Sequence, residues 1–248
     1  MRLDKLLSDR GYGTRKEIKK ALQKQGAIIN DVPTKDPGAH VAATDVVEFQ
    51  GDVISCEEFT YYLFHKPAGC VCANEDGVHD TIFKYIPNSK NLLFSVGRLD
   101  LDTEGLLLIT NDGKLSHNLL SPRRHVDKVY FARLDHAIKE TDIAAFAEGL
   151  DIGDEDMTMP AELVRANEAG DEIRGTIREG RYHQVKRMFE AVGNEVVYLK
   201  RESMGPFTLE DGLAKGSYRT LTEEELQWVS AHRGEAYEPY ERNCDSKR

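Results

Sequence analysis

The sequence predicts an α+β protein in which a small helix-helix-hairpin module precedes a larger domain with a mainly antiparallel, mixed sheet. Two observations support this fold class. The first fifty residues contain two short amphipathic helices followed by two short apolar stretches. Beyond them, strands and helices mix without a regular βαβ rhythm, which argues against a doubly wound parallel sheet. The 248 residues are enough for two domains.

The first module has clear start and stop signals. Leu3, Leu6 and Leu7 predict a short helix, and Thr14 with Glu17 forms a capping box for a second helix over 15–24. Gly26 ends that helix. Two strands are predicted over 27–30 and 46–49, with an Asn30-Asp31 turn and a loop containing Pro33 between them.

The second domain is predicted to begin after an acidic linker over 51–59. The resulting boundaries are 1–58 for the module with its linker, 59–230 for the larger domain and 231–248 for a polar tail. Apolar runs and alternation predict strands over 61–64, 92–96, 106–110, 126–134, 172–178 and 195–201. Helical spacing predicts helices over 114–120, 143–150 and 181–192.

Composition bounds the compartment and the partners. The chain starts with charged residues and has no long apolar run, so we expect neither a signal peptide nor a membrane span, and a cytoplasmic location. Four irregularly placed cysteines do not form a disulfide framework. The net charge of −10 argues against a nucleic-acid partner when it is taken as an average.

The charge is, however, unevenly distributed. Residues 1–24 contain eight Lys or Arg against three acids, whereas residues 135–176 contain twelve acids against three basic residues. A second basic cluster follows, formed by Arg181, Lys186, Arg187, Lys200 and Arg201. This pattern favours basic faces with an acidic back, and the alternative is that scattered lysines only solvate helices.

A charged loop between two apolar runs is the strongest candidate site. Arg98, Asp100, Asp102 and Glu104 lie between the strands predicted over 92–96 and 106–110. A carboxylate held there is a candidate nucleophile or base. The alternative is an ordinary solvated loop, and Asp112-Gly113 is interpreted as a hairpin turn.

A basic segment supplies a partner for that carboxylate. Lys186 lies beside the apolar face of the helix predicted over 181–192, and a partly buried lysine needs an anion. Pairing with Asp100 would keep the aspartate ionised, although a solvated helix end remains the alternative. His183 and Gln184 offer hydrogen-bonding edges.

Tyr130 is a candidate for stacking on a base. It follows Lys128 by two positions on a predicted strand, so both side chains share one face. The alternative is a tyrosine packed in the core. His65, Cys70, Cys72 and His79 lack the spacing of zinc ligands, and no nucleotide-binding glycine loop is present. Neither a zinc site nor a nucleotide-binding loop of these types is therefore expected.

Three motifs together resemble the RsuA-type rRNA pseudouridine synthases. They are Gly97-Arg98-Leu99-Asp100 through Asp112-Gly113, Lys128-Val129-Tyr130, and the segment from Glu179 to Phe189. The first fifty residues resemble the S4 RNA-binding domain that precedes the catalytic domain in that family. The resemblance extends to about Val229, and its last part resembles the small-subunit member.

The resemblance implies isomerisation of a uridine within small-subunit (16S) rRNA, without a cofactor. It implies Asp100, Tyr130 and Lys186 as catalytic residues: the aspartate acts on the ribose, the tyrosine stacks on the displaced base, and the lysine pairs with the aspartate. Other branches have arginine at the Lys186 position, which would give a bidentate pair. The target nucleotide must be extruded from its stack.

The predicted RNA contacts fall into two groups. Arg98 would fill the gap left by the extruded base or bind a phosphate, and the basic residues of the first module would hold the backbone. The predicted substrate and RNA contacts are Arg98, Arg181, His183, Gln184, Arg187, Leu199, Arg2, Lys5, Arg15, Lys16, Lys19 and Lys20. A monomer is expected.

Three other functions are compatible with parts of this pattern. A large-subunit (23S) rRNA target shares every catalytic motif. A non-catalytic ribosome-assembly factor needs the basic module but no ionised aspartate. An aspartate-nucleophile hydrolase of small substrates leaves the N-terminal module without a role. The tail over 231–248 has no assigned role.

Overall fold

A computed structural model describes residues 1–56, 59–86, 93–121, 124, 126–209 and 212–232. The described residues form two compact units. The first contains residues 1–60 with 93 and 94, and the second contains residues 61–86 and 95–232. No helix in these described ranges is long and apolar enough to span a membrane.

The first unit packs two helices, α1 (Leu3–Asp9) and α2 (Arg15–Gln25), with a four-stranded sheet. The strands are β1 (Ala27–Ile29), β2 (Val32–Thr34), β3 (Val46–Phe49) and β4 (Asp52–Ser55), in the antiparallel order β2-β1-β3-β4. The predicted capping box is present, and one apolar cluster joins both helices to the sheet. The helix-helix-hairpin prediction is therefore confirmed for the local structure.

Two details of the first unit differ from the prediction. Pro33 was predicted in a loop but lies in β2, opposite Ile28. An edge strand tolerates proline because its outer N–H needs no partner. The predicted linker over 51–59 contains β4, because Gln50 and Gly51 turn the chain back with positive φ so that 52–55 pair with β3. The Asn30-Asp31 turn is confirmed, with φ of 47° and 66°.

The second unit is built on one large sheet. Its strands are β5 (Tyr61–Lys66), β6 (Phe94–Ser95, which begins at the last residue assigned to the first unit), β7 (Glu104–Thr110), β8 (Lys128–Leu134), β9 (Glu162–Arg165), β10 (Glu172–Ile177), β11 (Val196–Met204), β12 (Phe207–Thr208) and β13 (Tyr218–Thr220). The order is β13-β5-β7-β11-β8-β10-β9, with β12 on β11 and β6 on β7. The pair β7/β11 is parallel and the other neighbours in this order are antiparallel, which confirms the mainly antiparallel, mixed sheet.

Helices and apolar side chains cover this sheet. The helices are α3 (Gly113–Leu120), α4 (Glu140–Glu148), α5 (Gln184–Ala191) and α6 (Glu223–His232), with one 3-10 turn over Ile82–Lys84. A core cluster joins Leu106 and Leu108 of β7 to Leu115 and Leu119 of α3. The predicted helices at α3, α4 and α5 are present with shifted ends, whereas β9, β13 and α6 were not predicted.

Asp112 corrects the predicted hairpin turn. Its carboxylate accepts hydrogen bonds from the backbone N–H groups of Lys114 and Leu115 and from the Tyr61 hydroxyl. Asp112 is therefore the buried N-cap of α3. The polar tail predicted over 231–248 also needs correction at its start, because residues 231 and 232 belong to α6. The rest of that tail lies outside the described residues.

Gly105 permits the parallel contact between β7 and β11. It lies opposite Arg201 with a φ of +115°, and a Cβ at this position would be 2.2 Å from the Arg201 carbonyl oxygen. No side chain fits at that distance, so the close approach of the two strands requires glycine.

We expect Gly105→Ala to lower the free energy of unfolding by about 3–5 kcal/mol, through positive-φ strain and the backbone clash. Urea denaturation measures this change. The control is Gly113→Ala at the start of α3, where a Cβ would contact nothing; we expect it to stay within about 1 kcal/mol of the parent. Equal stability of the two variants would contradict this account of β7/β11.

Candidate active site

A cavity of about 550 Å³ opens in the second unit. The charged loop before β7, strand β8, the turn before α5 and strand β11 all contribute to its wall. The three predicted catalytic residues, Asp100, Tyr130 and Lys186, all line it. The structure therefore brings together residues that are up to 86 positions apart in the chain.

The buried ammonium of Lys66 holds the charged loop. Its Nζ donates to the carbonyl oxygens of Pro67 (3.1 Å), Asp100 (2.9 Å) and Thr103 (2.9 Å). Lys66 is 0% exposed, and burial lowers the pKa of its side chain. Three carbonyl dipoles thus replace water around the charge and fix the loop backbone beside Asp100.

Cys72 fixes the same loop from another side. Its Sγ accepts from the Leu99 N–H at 3.4 Å and lies 3.5 Å from the Leu99 carbonyl oxygen. Burial raises the pKa of the Cys72 thiol, so it is kept in its neutral form. Among the described residues, no group of three or more His, Cys, Asp or Glu is arranged to hold a metal ion.

Lys186 lies between two carboxylates. Its Nζ is 3.6 Å from Asp100 Oδ2, and it donates to Asp102 Oδ1 and Oδ2 at 2.6 and 2.8 Å. The predicted pairing with Asp100 is present as an ion pair, but the closer partner is Asp102. Burial raises the pKa of Asp102, yet the hydrogen bond and charge of Lys186 outweigh it and the net pKa is lowered.

His183 approaches the other oxygen of Asp100. Its Nε2 lies 3.5 Å from Asp100 Oδ1. The His183 backbone is left-handed, with a φ of 48°, and α5 begins only after it, at Gln184. This conformation is why the helix starts three residues later than predicted. Tyr182 stacks on the His183 ring with centroids 3.9 Å apart and is 73% exposed.

Glu179 anchors the turn before α5. Its buried carboxylate accepts from Gln184 Nε2 (2.7 Å), the Met159 N–H (2.8 Å) and Arg181 Nε (3.0 Å). The Gln184 side-chain oxygen in turn accepts from the Arg181 N–H. Gln184, which was predicted as a substrate contact, is therefore buried and uses both ends of its amide inside the protein.

Arg181 and Arg187 correct the prediction of an acidic back. Asp154, from the acidic stretch, lies 2.5 Å from Arg187 Nη2 and 3.4 Å from Arg181 Nη1. The arginines lower the pKa of this carboxyl. The acidic stretch and the second basic cluster therefore meet at Asp154, because a partly buried guanidinium is stabilised by a nearby carboxylate.

Tyr130 and Lys128 share the buried face of β8, as predicted. The Tyr130 hydroxyl accepts from Arg201 Nη1 at 3.5 Å. Lys128 Nζ donates to the Val126 carbonyl oxygen at 3.2 Å. Burial, with a further contribution from the charge of Arg201, lowers the pKa of Lys128 to about 8.

Arg201 is a site residue to which the sequence analysis assigned no role. It is 2% exposed, lines the cavity and donates from Nε to the Leu106 carbonyl oxygen at 2.9 Å. Its Nη2 has no hydrogen-bond partner among the described residues. A signal was present, because Arg201 follows the buried Leu199 by two positions and alternation puts both on one face of β11.

The remaining predicted contacts are in two places. Arg98 is exposed at the cavity, and Leu199 is buried in its wall. The other basic residues lie in the first unit, where all six side chains are exposed: Arg2, Lys5, Arg15, Lys16, Lys19 and Lys20. Arg2 is bonded to Asp4, and Lys5 lies 3.7 Å from Asp9.

The segment that forms most of this cavity matches a known protein family. Residues 60–191 match the family described as RNA pseudouridylate synthase. That segment contains Asp100, Tyr130 and Lys186 and covers more than half of the chain. The chain belongs to the RNA pseudouridylate synthase family. Members of this family are isomerases.

Full-length relatives extend the match. The synthase is 46% identical to an uncharacterized RNA pseudouridine synthase of Bacillus subtilis, over 93% of this chain and 98% of the relative. It is 42% identical to the ribosomal small subunit pseudouridine synthase A of Vibrio vulnificus, over 92% and 99% of the two chains. A crystal structure of a pseudouridylate synthase superposes with a TM-score of 0.65 at 38% identity, covering 92% and 98%.

We expect Lys128→Met to raise the free energy of unfolding of the synthase at pH 7 by about 3 kcal/mol, because burial lowers the pKa of Lys128 from 10.5 to about 8. The unfolded chain binds more protons between pH 8 and 10.5, so stability rises with pH in that window. The advantage of the variant is therefore complete below pH 8 and shrinks above it.

Urea denaturation at pH 7 and pH 9.5 measures this difference. We expect the gain at pH 9.5 to be less than half of the gain at pH 7. The matched control is Lys215→Met, since Lys215 is half exposed and its Nζ lies 2.7 Å from Glu104. A loss of stability in Lys128→Met at pH 7 would contradict the conclusion that burying the Lys128 ammonium destabilises the folded protein.

Proposed function

We propose that the protein converts a uridine of small-subunit ribosomal RNA to pseudouridine, with Asp100 acting on the ribose of the extruded nucleotide. The observation that carries this proposal is the cavity in which Asp100, Tyr130 and Lys186 meet. The substrate class is supported by relatives named ribosomal small subunit pseudouridine synthase A, at 38–42% identity over nearly their whole length.

Asp100 supplies the carboxylate for the first step. Its side chain is about one-quarter exposed, so a substrate can reach it, and the two cationic or hydrogen-bonding neighbours Lys186 and His183 orient its oxygens. The carboxylate either traps the cationic ribose carbon or removes a ribose proton to give a glycal. Both routes need a rigid, ionised aspartate, and the hydrogen bond from Lys66 Nζ to the Asp100 backbone carbonyl provides the rigidity.

Tyr130 contacts the detached base. Tyr130 lines the cavity, and Arg201 holds its hydroxyl, so the ring is a stacking partner for the base. The stacked base can turn within its plane until C5 faces the ribose carbon. The hydroxyl then lies near the C5 position, where it can help to move the C5 proton.

Exposed basic side chains are proposed to guide the RNA. The target nucleotide leaves its stack to reach the cavity, and exposed Arg98 at the cavity fills the vacated position or binds a phosphate. The first unit is proposed to be an S4-like module that holds the phosphate backbone through the exposed cations of α2. We further propose that the protein works as a monomer in the cytoplasm.

We expect Asp100→Asn to lose at least about 10³-fold in turnover, because the amide can neither trap the ribose nor accept its proton. Release of tritium from C5 of labelled uridine measures turnover. RNA affinity should stay within about twofold of the parent, because the Asp100 carboxylate lies in the cavity and does not contact the phosphate backbone in this proposal.

Asp102→Asn is the matched control. It removes the carboxylate that lies closer to Lys186, and the Asp102 side chain is 71% exposed. We expect about a fivefold loss or less, the effect of one exposed ion pair. Retained turnover in Asp100→Asn would show that Asp100 is not the residue that acts on the ribose. Release from large-subunit rRNA alone would move the substrate to that RNA, and tight binding without release would indicate an assembly factor.

We expect the double variant Lys16→Ala, Lys20→Ala to weaken RNA binding and to flatten its salt dependence. Both lysines are exposed on α2, four positions apart. Each lost phosphate contact should reduce the slope of log affinity against log salt by about one. Fluorescence anisotropy across a salt series measures the slope. Lys139→Ala, an exposed lysine of the acidic stretch, should leave the slope unchanged.

A further inference from the structure

Two buried cations face the cavity, and no carboxylate of the described ranges pairs with either of them. Lys128 and Arg201 are 5% and 2% exposed, and both line the cavity beside Tyr130. Within the described part of the chain, neither is within ion-pair distance of an Asp or Glu. Their protein hydrogen bonds go to neutral oxygens: Val126 and Leu106 carbonyls and the Tyr130 hydroxyl.

The acids that act on Lys128, and Asp100 in the same cavity, have other partners. Asp127 and Glu179 act on Lys128 at a distance and raise its pKa, but less than burial lowers it. Asp127 is bound by Arg178 at 2.8 Å, and Glu179 by Arg181 at 3.0 Å. Asp100 is flanked by Lys186 and His183. Among the residues that the structure describes, the positive charge of the Lys128 and Arg201 pair therefore has no counterion of its own.

Such a pair is costly in the free protein. A buried cation without an anion destabilises a fold, and two adjacent ones repel each other. A pKa of about 8 still leaves Lys128 mostly protonated at neutral pH, and an arginine is always charged. In addition, Arg201 Nη2 is a buried donor with no partner among the described residues. The arrangement suits an anion that is present only during the reaction.

The proposed reaction produces one such anion. When the bond between the ribose C1′ and uracil N1 breaks, its electron pair stays on N1 and is delocalised over O2 and O4. The sugar side becomes electron-poor, next to the Asp100 carboxylate. A new bond then forms from C5 to C1′, the C5 proton leaves and N1 takes up one proton, so the step is a net isomerisation.

We propose that Lys128 and Arg201 form an anion site that stabilises the uracil anion released when the glycosidic bond breaks. This inference rests on the proposed function and names further residues for it. In a water-poor cavity, a preorganised cation lowers the energy of developing charge without reorganising at the moment of reaction. Arg201 acts partly through the Tyr130 hydroxyl and is to that extent a positioning residue.

A phosphate of the RNA backbone is the other anion that could use this site. The two sources give different kinetics. A site for the uracil anion acts on the bond-breaking step and leaves RNA affinity unchanged. A phosphate site acts on affinity and its salt dependence and leaves the rate at saturating enzyme unchanged.

Lys128→Met tests the proposal, with conversion of uridine in small-subunit rRNA followed in single-turnover experiments at saturating enzyme. We expect the rate to fall about 10²-fold, the dissociation constant of the RNA to stay unchanged, and the thermal unfolding midpoint to rise. A residue needed only for folding would lower that midpoint instead. Lys215→Met, outside the cavity, is expected to keep the parent rate.

Replacing the target uridine by 5-fluorouridine separates the bond-breaking step from removal of the C5 proton. Fluorine stabilises the uracil anion and leaves no proton at C5. We expect Lys128→Met to remain slower than the parent in consuming this nucleotide, but by a factor several-fold smaller than with uridine. Loss of the parent nucleoside is measured by digestion and mass spectrometry.

Four outcomes would overturn the inference: an unchanged rate, an equal loss on both nucleotides, no loss on 5-fluorouridine, or weaker RNA binding with an unchanged rate. The last outcome would assign the site to a phosphate. A parent protein that converts neither substrate would instead overturn the proposed function, so the two failures are distinct.

Discussion

The buried ammonium of Lys66 is the interaction on which the cavity depends. It is the last residue of β5, the strand between β13 and β7, and binds three main-chain carbonyls, two of them from the turn that contains Asp100. Losing any one of these bonds would leave a buried charge only partly satisfied, which is expensive. The loop is therefore held to the sheet through its main-chain carbonyls, so this contact does not depend on which side chains the loop carries.

From that constraint follows an ordered arrangement of charge. Carboxylates of the loop, Asp100 and Asp102, lie at the more exposed side of the cavity, with Lys186 between them. The unneutralised cations Lys128 and Arg201 are buried in β8 and β11. A substrate entering the cavity therefore meets negative groups on one element and positive groups on others, an arrangement suited to a reaction that separates charge.

Patterns of residues close together in the sequence predict several of these features. The Thr14 capping box, the Asn30-Asp31 turn and the alternation that puts Lys128 and Tyr130 on one face all depend on residues close in sequence. The prediction of a hairpin turn at Asp112 was wrong because an apolar run followed by Asp-Gly has the same local pattern whether a hairpin or a helix follows. The closer pairing of Lys186 with Asp102 and the burial of Arg201 depend on contacts across about 80 to 100 residues. No local pattern contains them.

The parallel pair β7/β11 also has a consequence for how the protein is made. Every residue of β7 is buried, and it is completed at Thr110, whereas β11 ends only at Met204. A ribosome adds residues from the N-terminus onward, so for more than eighty residues of synthesis the end of β7 at Glu104 and Gly105 lacks its β11 partner, while β6 pairs with the strand further along. An apolar strand with a bare edge is a template for pairing with another chain. That end of β7 is therefore open to pairing with another chain during translation, before the cavity exists.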